Sequence, residues 1–232
     1  MQLPGFYLAI QINFHTVVAL LVAGLTAAGA DLLLRGHPAL GDKNTLEHWL
    51  LPALTAWTLG IPLYQLPVGP QWLMSFAIGG ALLMLVLVAE FIAVDPDDDR
   101  FPLASAGLTA VSYALLLILA ITLRSADQRL YLILPALAIA SGLVSLRTLH
   151  LRLHGGWIYL PTLAITLIVV GIISALHYWP LSPITYGLLI LGPAYSLTSL
   201  VGALSEGQSL RRAIIEPGVV LVAVWGTAVW IN

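Results

Sequence analysis

Two histidines four residues apart, in His150-Leu151-Arg152-Leu153-His154, have the most ligand-like spacing in this chain. On a helix, residues four apart share a face, so both imidazoles could meet one metal ion. A membrane di-iron centre needs several such pairs. Here there is one, and Gly155-Gly156 follows it at once. The pair therefore reads as the solvated or headgroup-facing end of a helix. A second candidate is the run Asp95, Asp97, Asp98 and Asp99. Carboxylates suit hard cations such as Mg²⁺, and prenyl-transferring membrane enzymes hold Mg-diphosphate between two aspartate clusters on helices. A single cluster beside Pro96 reads as a solvated turn. His15 and His177 fall near the same end of two different apolar segments. Imidazoles facing one another across a bundle can ligate haem or a chlorophyll magnesium, but isolated ones more often form interfacial hydrogen bonds. No metal and no cofactor is expected, and the protein alone should be colourless.

The remaining candidates are charged. Asp31, Glu90, Glu206 and Arg147 each stand at the end of an apolar segment, none at its centre. Charge at the bilayer midplane is costly and usually functional, so its absence argues against an ion-coupled transporter. Glu90 could reach Arg100 or Arg147, and Glu206 could reach Arg211 or Arg212. The chain has no cysteine, which excludes disulfides, thiolate metal sites and a cysteine nucleophile. It carries no GxSxG, P-loop or HExxH motif. Its net charge of -2 gives no sign of nucleic-acid binding.

The elements that position these groups follow from composition. Of 232 residues, 59% are hydrophobic and 9% charged. Soluble domains carry about 25% charged residues, so lipid must solvate much of this chain. In hydrocarbon each backbone N–H and C=O must be satisfied within its own segment, which makes every span a helix. Runs of about 20 apolar residues predict eight helices, at 12–34, 47–66, 71–94, 102–123, 130–149, 157–178, 183–204 and 214–231. The stretch Met1–Gln11 has no Lys or Arg, so the first segment is expected to be a retained span rather than a cleaved signal. Arg35, Lys43, Arg100, Arg147, Arg152, Arg211 and Arg212 fall at one end of this arrangement, Arg124 and Arg129 at the other. The positive-inside rule then places both termini on the outer face of a cell membrane.

The halves echo each other. Leu51-Pro52-Ala53-Leu54 matches Leu160-Pro161-Thr162-Leu163, and Tyr64, Pro67 and Pro70 match Tyr178, Pro180 and Pro183. Glu90 matches Glu206, and Pro102 matches Pro217, all in chain order at nearly constant spacing. This predicts a tandem duplication of a four-helix unit, 1–124 and 125–232. An even number of spans per unit gives both the same orientation and a pseudo-two-fold along the membrane normal.

Three functions fit. One is a non-enzymatic subunit or scaffold that packs against partner helices, a second copy, lipids or lipid-soluble cofactors. Another is a small transporter or lipid-handling protein with a cavity between the repeats. The third is a membrane enzyme acting on lipid headgroups. The first expects a closed interface between the halves, and the second a polar cavity reaching mid-membrane. The third expects the aspartate turn to converge with His150 and His154.

Overall fold

A computed structural model describes residues 14–38, 40, 45–153 and 158–232, and the side chains of 14–16, 46, 47, 64 and 65 lie outside that description. Every element among the described residues is helical: α1(Phe14–Leu34), α2(Leu46–Gln65), α3(Pro70–Ile92), α4(Phe101–Ser125), α5(Leu130–Arg152), α6(Tyr159–Leu176), α7(Pro183–Ser205), α8(Leu210–Ala213) and α9(Ile215–Ile231). Each predicted segment contains one long helix, with ends displaced by a few residues. The last segment starts earlier than expected, because the short α8 leads into α9 through Ile214 alone and brings Arg211 and Arg212 into a helix.

Local chemistry explains the ends. Pro70 and Pro183 open their helices, where a missing N–H costs nothing. Ser182 caps α7, its hydroxyl accepting from Thr185 N at 3.2 Å. The other end of α7 closes in a Schellman motif: Gln208 N donates to Ala203 O and Gly207 N to Leu204 O. Gly207 adopts φ 80, which a residue without Cβ takes without strain.

Among the described residues seven helical stretches are long and apolar enough to cross a membrane: α1 from Val17, α3, α4, α5, α6, α7 and the continuous Leu210–Ile231. The chain is thus a multi-pass helical membrane bundle. α2 is the exception. It carries Glu47 and His48 in its first turn and Pro52 and Pro62 inside, and Leu51, Leu54, Thr55, Ala56 and Thr58 are buried against neighbouring helices. A helix shielded by other helices has less need of an apolar surface than one facing lipid. The same gradient holds elsewhere: α7 is 61% buried, whereas α1 and α3 are 11% buried.

The core lies among α4, α5, α6 and α7, with Leu116, Leu119, Leu137, Val144, Val169 and Tyr186 at its centre. Pro193 cannot donate to the Leu189 carbonyl one turn earlier. The indole Nε1 of Trp225 donates to that carbonyl at 3.3 Å instead, and Ser196 Oγ donates to Pro217 O at 2.9 Å, which together seat α9 on α7.

Within each half, successive helices pack in order. Between the halves, α4 packs on α5 and α7, and α2 on α5. A two-fold along the membrane normal would require matching contacts of α9 with α1 and α3. Among the described residues no packing of comparable extent joins them. The expected two-fold is therefore not realised at the interface between the halves. Among the described residues α1 packs most extensively on α2, and its last residue, Leu34, clusters with Phe91 of α3 and Val94.

Candidate functional site

The basic end of the bundle, which carries Arg35, Arg100, Arg147, Arg152, Arg211 and Arg212, holds two polar assemblies. α5 belongs to both. The first is a buried trio. Glu90 lies in the last turn of α3, His48 in the first turn of α2, and Arg147 in the penultimate turn of α5; their exposures are 0%, 4% and 1%. Arg147 Nε donates to Glu90 Oε1 at 3.1 Å, and Arg147 Nη2 donates to Glu90 Oε2. His48 Nδ1 stands 2.9 Å from the same Oε2. The same Nδ1 lies 3.3 Å from Arg147 Nη2, so it meets the carboxylate as a donor or the guanidinium as an acceptor according to its tautomer. Charges this deep persist only when paired. The trio therefore ties α2, α3 and α5 together electrostatically, with Arg147 Nη1 left buried and without a hydrogen-bond partner.

The second assembly is built on Arg152, five residues further along α5, which packs on α4 and α7. Arg152 Nε and Nη2 both donate to the Glu206 carboxylate at the end of α7, the latter at 3.1 Å, and Nη1 donates to Ser199 O at 3.2 Å. The approach requires Gly202: a Cβ there would lie 2.7 Å from Arg152 Cδ. Beside this clamp is a cavity of about 510 Å³ between α4, α5, α7 and α9. Its walls are rich in hydroxyls, with Ser105, Thr109 and Tyr113 on α4, Thr148 on α5, and Tyr195 and Thr198 on α7. Glu216 of α9 stands at its edge and accepts from Tyr195 OH at 3.1 Å. Tyr113 is at the midpoint of α4, about 18 Å from the basic end at 1.5 Å per residue. The Tyr113 hydroxyl is buried close to the hydroxyls of Thr148 and Thr198. Rings Tyr113 and Tyr195 meet edge-on, 5.3 Å apart.

The sequence candidates distribute unevenly over these assemblies. Glu90 and Arg147 join. Glu206 pairs with Arg152 rather than with Arg211 or Arg212. Both glutamates bind arginines of α5. Asp31 accepts from Arg35 Nε at 2.9 Å and from the Thr45 hydroxyl, so it holds the turn after α1. His150 is buried in α5, and His154 lies outside the described residues. The His15 side chain also lies outside them, and α1 does not pack on α6, so the helices that would carry facing imidazoles are not neighbours. His177 contributes its backbone oxygen, which accepts from Arg124 Nη1 at 2.9 Å, while Nη2 donates to Trp179 O at 2.8 Å. Arg124 thereby caps the carbonyl end of α6 and lies 5.3 Å over the Tyr186 ring. Asp95 and Asp98 accept from the backbone N–H of Asp97 and Arg100 as ordinary turn formers. Among the described residues no three His, Asp or Glu side chains form a metal-ligating group.

Sequence reasoning missed His48, Tyr113, Tyr195 and Glu216. Only His48 left a trace: an imidazole in the first turn of a helix whose far face is apolar. Tyr113 and Tyr195 lie within apolar runs, where a tyrosine reads as filler. Chemically, the trio offers a buried, internally compensated charge. The cavity offers two aromatic rings, a carboxylate not used in a salt bridge, and hydroxyls of which Ser105, Tyr195 and Thr198 already donate to Pro102 O, Glu216 and Ala194 O.

No curated protein and no solved structure matches the chain. A family model matches residues 1–231, almost the whole length, and the chain belongs to that family, described as a protein of unknown function, DUF5656.

Proposed function

We propose that this protein holds an amphipathic small molecule in the cavity between its halves, as a small transporter or lipid-handling protein. One observation carries the reading: a hydroxyl-lined cavity of about 510 Å³ that extends from the basic end to the middle of α4. Its size suits a small-molecule site, typically about 300–1,000 Å³. α4 and α9 line it without packing on each other, which leaves a lateral gap through which an acyl chain can reach the bilayer. The paired charges lie near the basic end, which fits a lipid ligand better than an ion-coupled solute. The test is to purify the protein in mild detergent and identify retained lipid by mass spectrometry, beside Ala110→Trp. Ala110 lines the cavity and faces outward, so the indole fills space without disturbing the core. A lipid retained by the wild type and lost from the variant supports the reading. Equal retention by both overturns it.

A second reading, a subunit that packs with partner helices or a second copy, is favoured by α1. That helix rests on α2 and exposes Leu20, Leu21, Leu25 and Leu32. Co-purification of stoichiometric protein partners, together with a cavity that binds nothing, would select it.

The arrangement in the membrane belongs to the same proposal. α2 crosses as an eighth, interior span. Both termini lie outside a cell membrane, and the basic end faces inward. The regions 1–124 and 125–232 descend from one four-helix unit, supported by the matched prolines, tyrosines and glutamates, and their packing has since diverged.

A further inference from the structure

We propose that the cavity is selective for an amine: it takes the ammonium group of an amphipathic molecule against Glu216 and the rings of Tyr113 and Tyr195, with the tail leaving between α4 and α9. This rests on the ligand-binding reading above and adds the chemical class. The charge balance is the first argument. Two charged residues line the cavity, Arg152 and Glu216. Arg152 is already committed to Glu206 through two guanidinium nitrogens and to the Ser199 carbonyl through the third. Among the described residues no cation lies within salt-bridge distance of Glu216, which accepts a single hydrogen bond from Tyr195. Glu216 therefore presents to the cavity a carboxylate that no salt bridge among the described residues occupies, beside the two tyrosine rings. An anionic headgroup would have to displace Glu206 and approach Glu216.

The aromatic wall is the second argument. The two tyrosine rings, 5.3 Å apart and at 69°, present faces and edges around one corner of the cavity. Ring faces attract a cation within about 6 Å of their centroid. The third is shape. The α4 wall is built from small side chains, among them Ser105, Ala106, Thr109 and Ala110, which leave room for a headgroup where larger residues would close the gap.

The ammonium comes from either a lipid headgroup or a free amine, and three probes separate the two sources: dihexanoyl-phosphatidylethanolamine, dihexanoyl-phosphatidylglycerol and ethanolamine. Binding is read by native mass spectrometry and by tryptophan fluorescence on the full chain in dodecyl maltoside. The ethanolamine lipid should bind at least about tenfold more tightly than the glycerol lipid. Glu216→Gln should reduce that preference by about fivefold to tenfold, and Tyr195→Ala should reduce it while Tyr195→Phe keeps it. Ethanolamine binding as tightly as the lipid would identify a free amine as the source. Glu216 is exposed, so its neutral variant folds, and unchanged unfolding temperature verifies this. A wild-type preference for the glycerol lipid, or an unchanged preference in Glu216→Gln, overturns the amine assignment. The Ala110→Trp variant separates the two levels. If it abolishes binding of every probe while Glu216→Gln changes nothing, the cavity reading stands and the amine reading falls. If Ala110→Trp binds all probes like the wild type, the cavity reading falls as well.

Discussion

Glu90→Gln would leave the Arg147 guanidinium, 1% exposed, without its counter-charge. Breaking a buried ion pair on one side costs about 3–5 kcal/mol. Glu206→Gln breaks a pair whose side chains are 29% and 32% exposed, for which about 1 kcal/mol or less is expected. Two glutamates at corresponding positions of the sequence should thus differ severalfold in their effect on unfolding in detergent. Similar losses in both would contradict the burial difference. The double replacement Glu90→Gln with Arg147→Met should recover much of the loss, because it removes the orphaned charge as well as the pair. His48 is the second partner of Glu90, so His48→Leu should also be destabilising.

At the scale of the element, α7 is shaped by two residues that have no side-chain chemistry of their own. Gly202 admits the Arg152 side chain. Gly202→Ala should therefore displace the guanidinium from Glu206 and weaken the α5–α7 clamp, by no more than Glu206→Gln does. A larger loss would mean that Gly202 has a role beyond this close approach. Pro193 releases the Leu189 carbonyl, and Trp225 takes it. Trp225→Phe keeps most of the apolar contact and removes one hydrogen bond, at a cost of about 1 kcal/mol. Faster amide exchange confined to α9 is the expected signature, and uniform exchange across the bundle would refute the assignment. A proline inside an apolar segment, and the carbonyl it frees one turn earlier, were legible in the sequence. Its partner, 36 residues away, was not.

At the scale of the molecule, the arrangement across the membrane has a direct test. Single cysteines at Ser125 and Ser209, at opposite ends of the bundle, should label from opposite sides of intact cells, with Ser125 labelled from outside. Labelling from one side only would sink the eight-span proposal. The chain contains no native cysteine, so the background is clean. The asymmetry between halves is a packing matter. α4 contacts α5 and α7, while α9 is seated on α7 and leaves the gap that opens the cavity.

The helices themselves were written in the sequence, because hydrocarbon permits one solution to the backbone hydrogen-bonding problem and proline-rich breaks mark where it stops. The placement of the charges at helix ends was legible for the same reason: the cost of burying them in lipid shows in their spacing. What the tertiary structure alone decided is which charge meets which. Glu90 chose Arg147 over the nearer Arg100, and Glu206 chose Arg152 over Arg211 and Arg212. Neither choice follows from distance along the chain, since both depend on which face α5 turns toward α3 and α7. The cavity was invisible for a related reason. Hydroxyls within apolar helices return their hydrogen bonds to their own backbone as readily as they line a space, as Thr198 does to Ala194 O. A site emerges only when α4, α5, α7 and α9 set such side chains around a volume that no neighbouring helix fills.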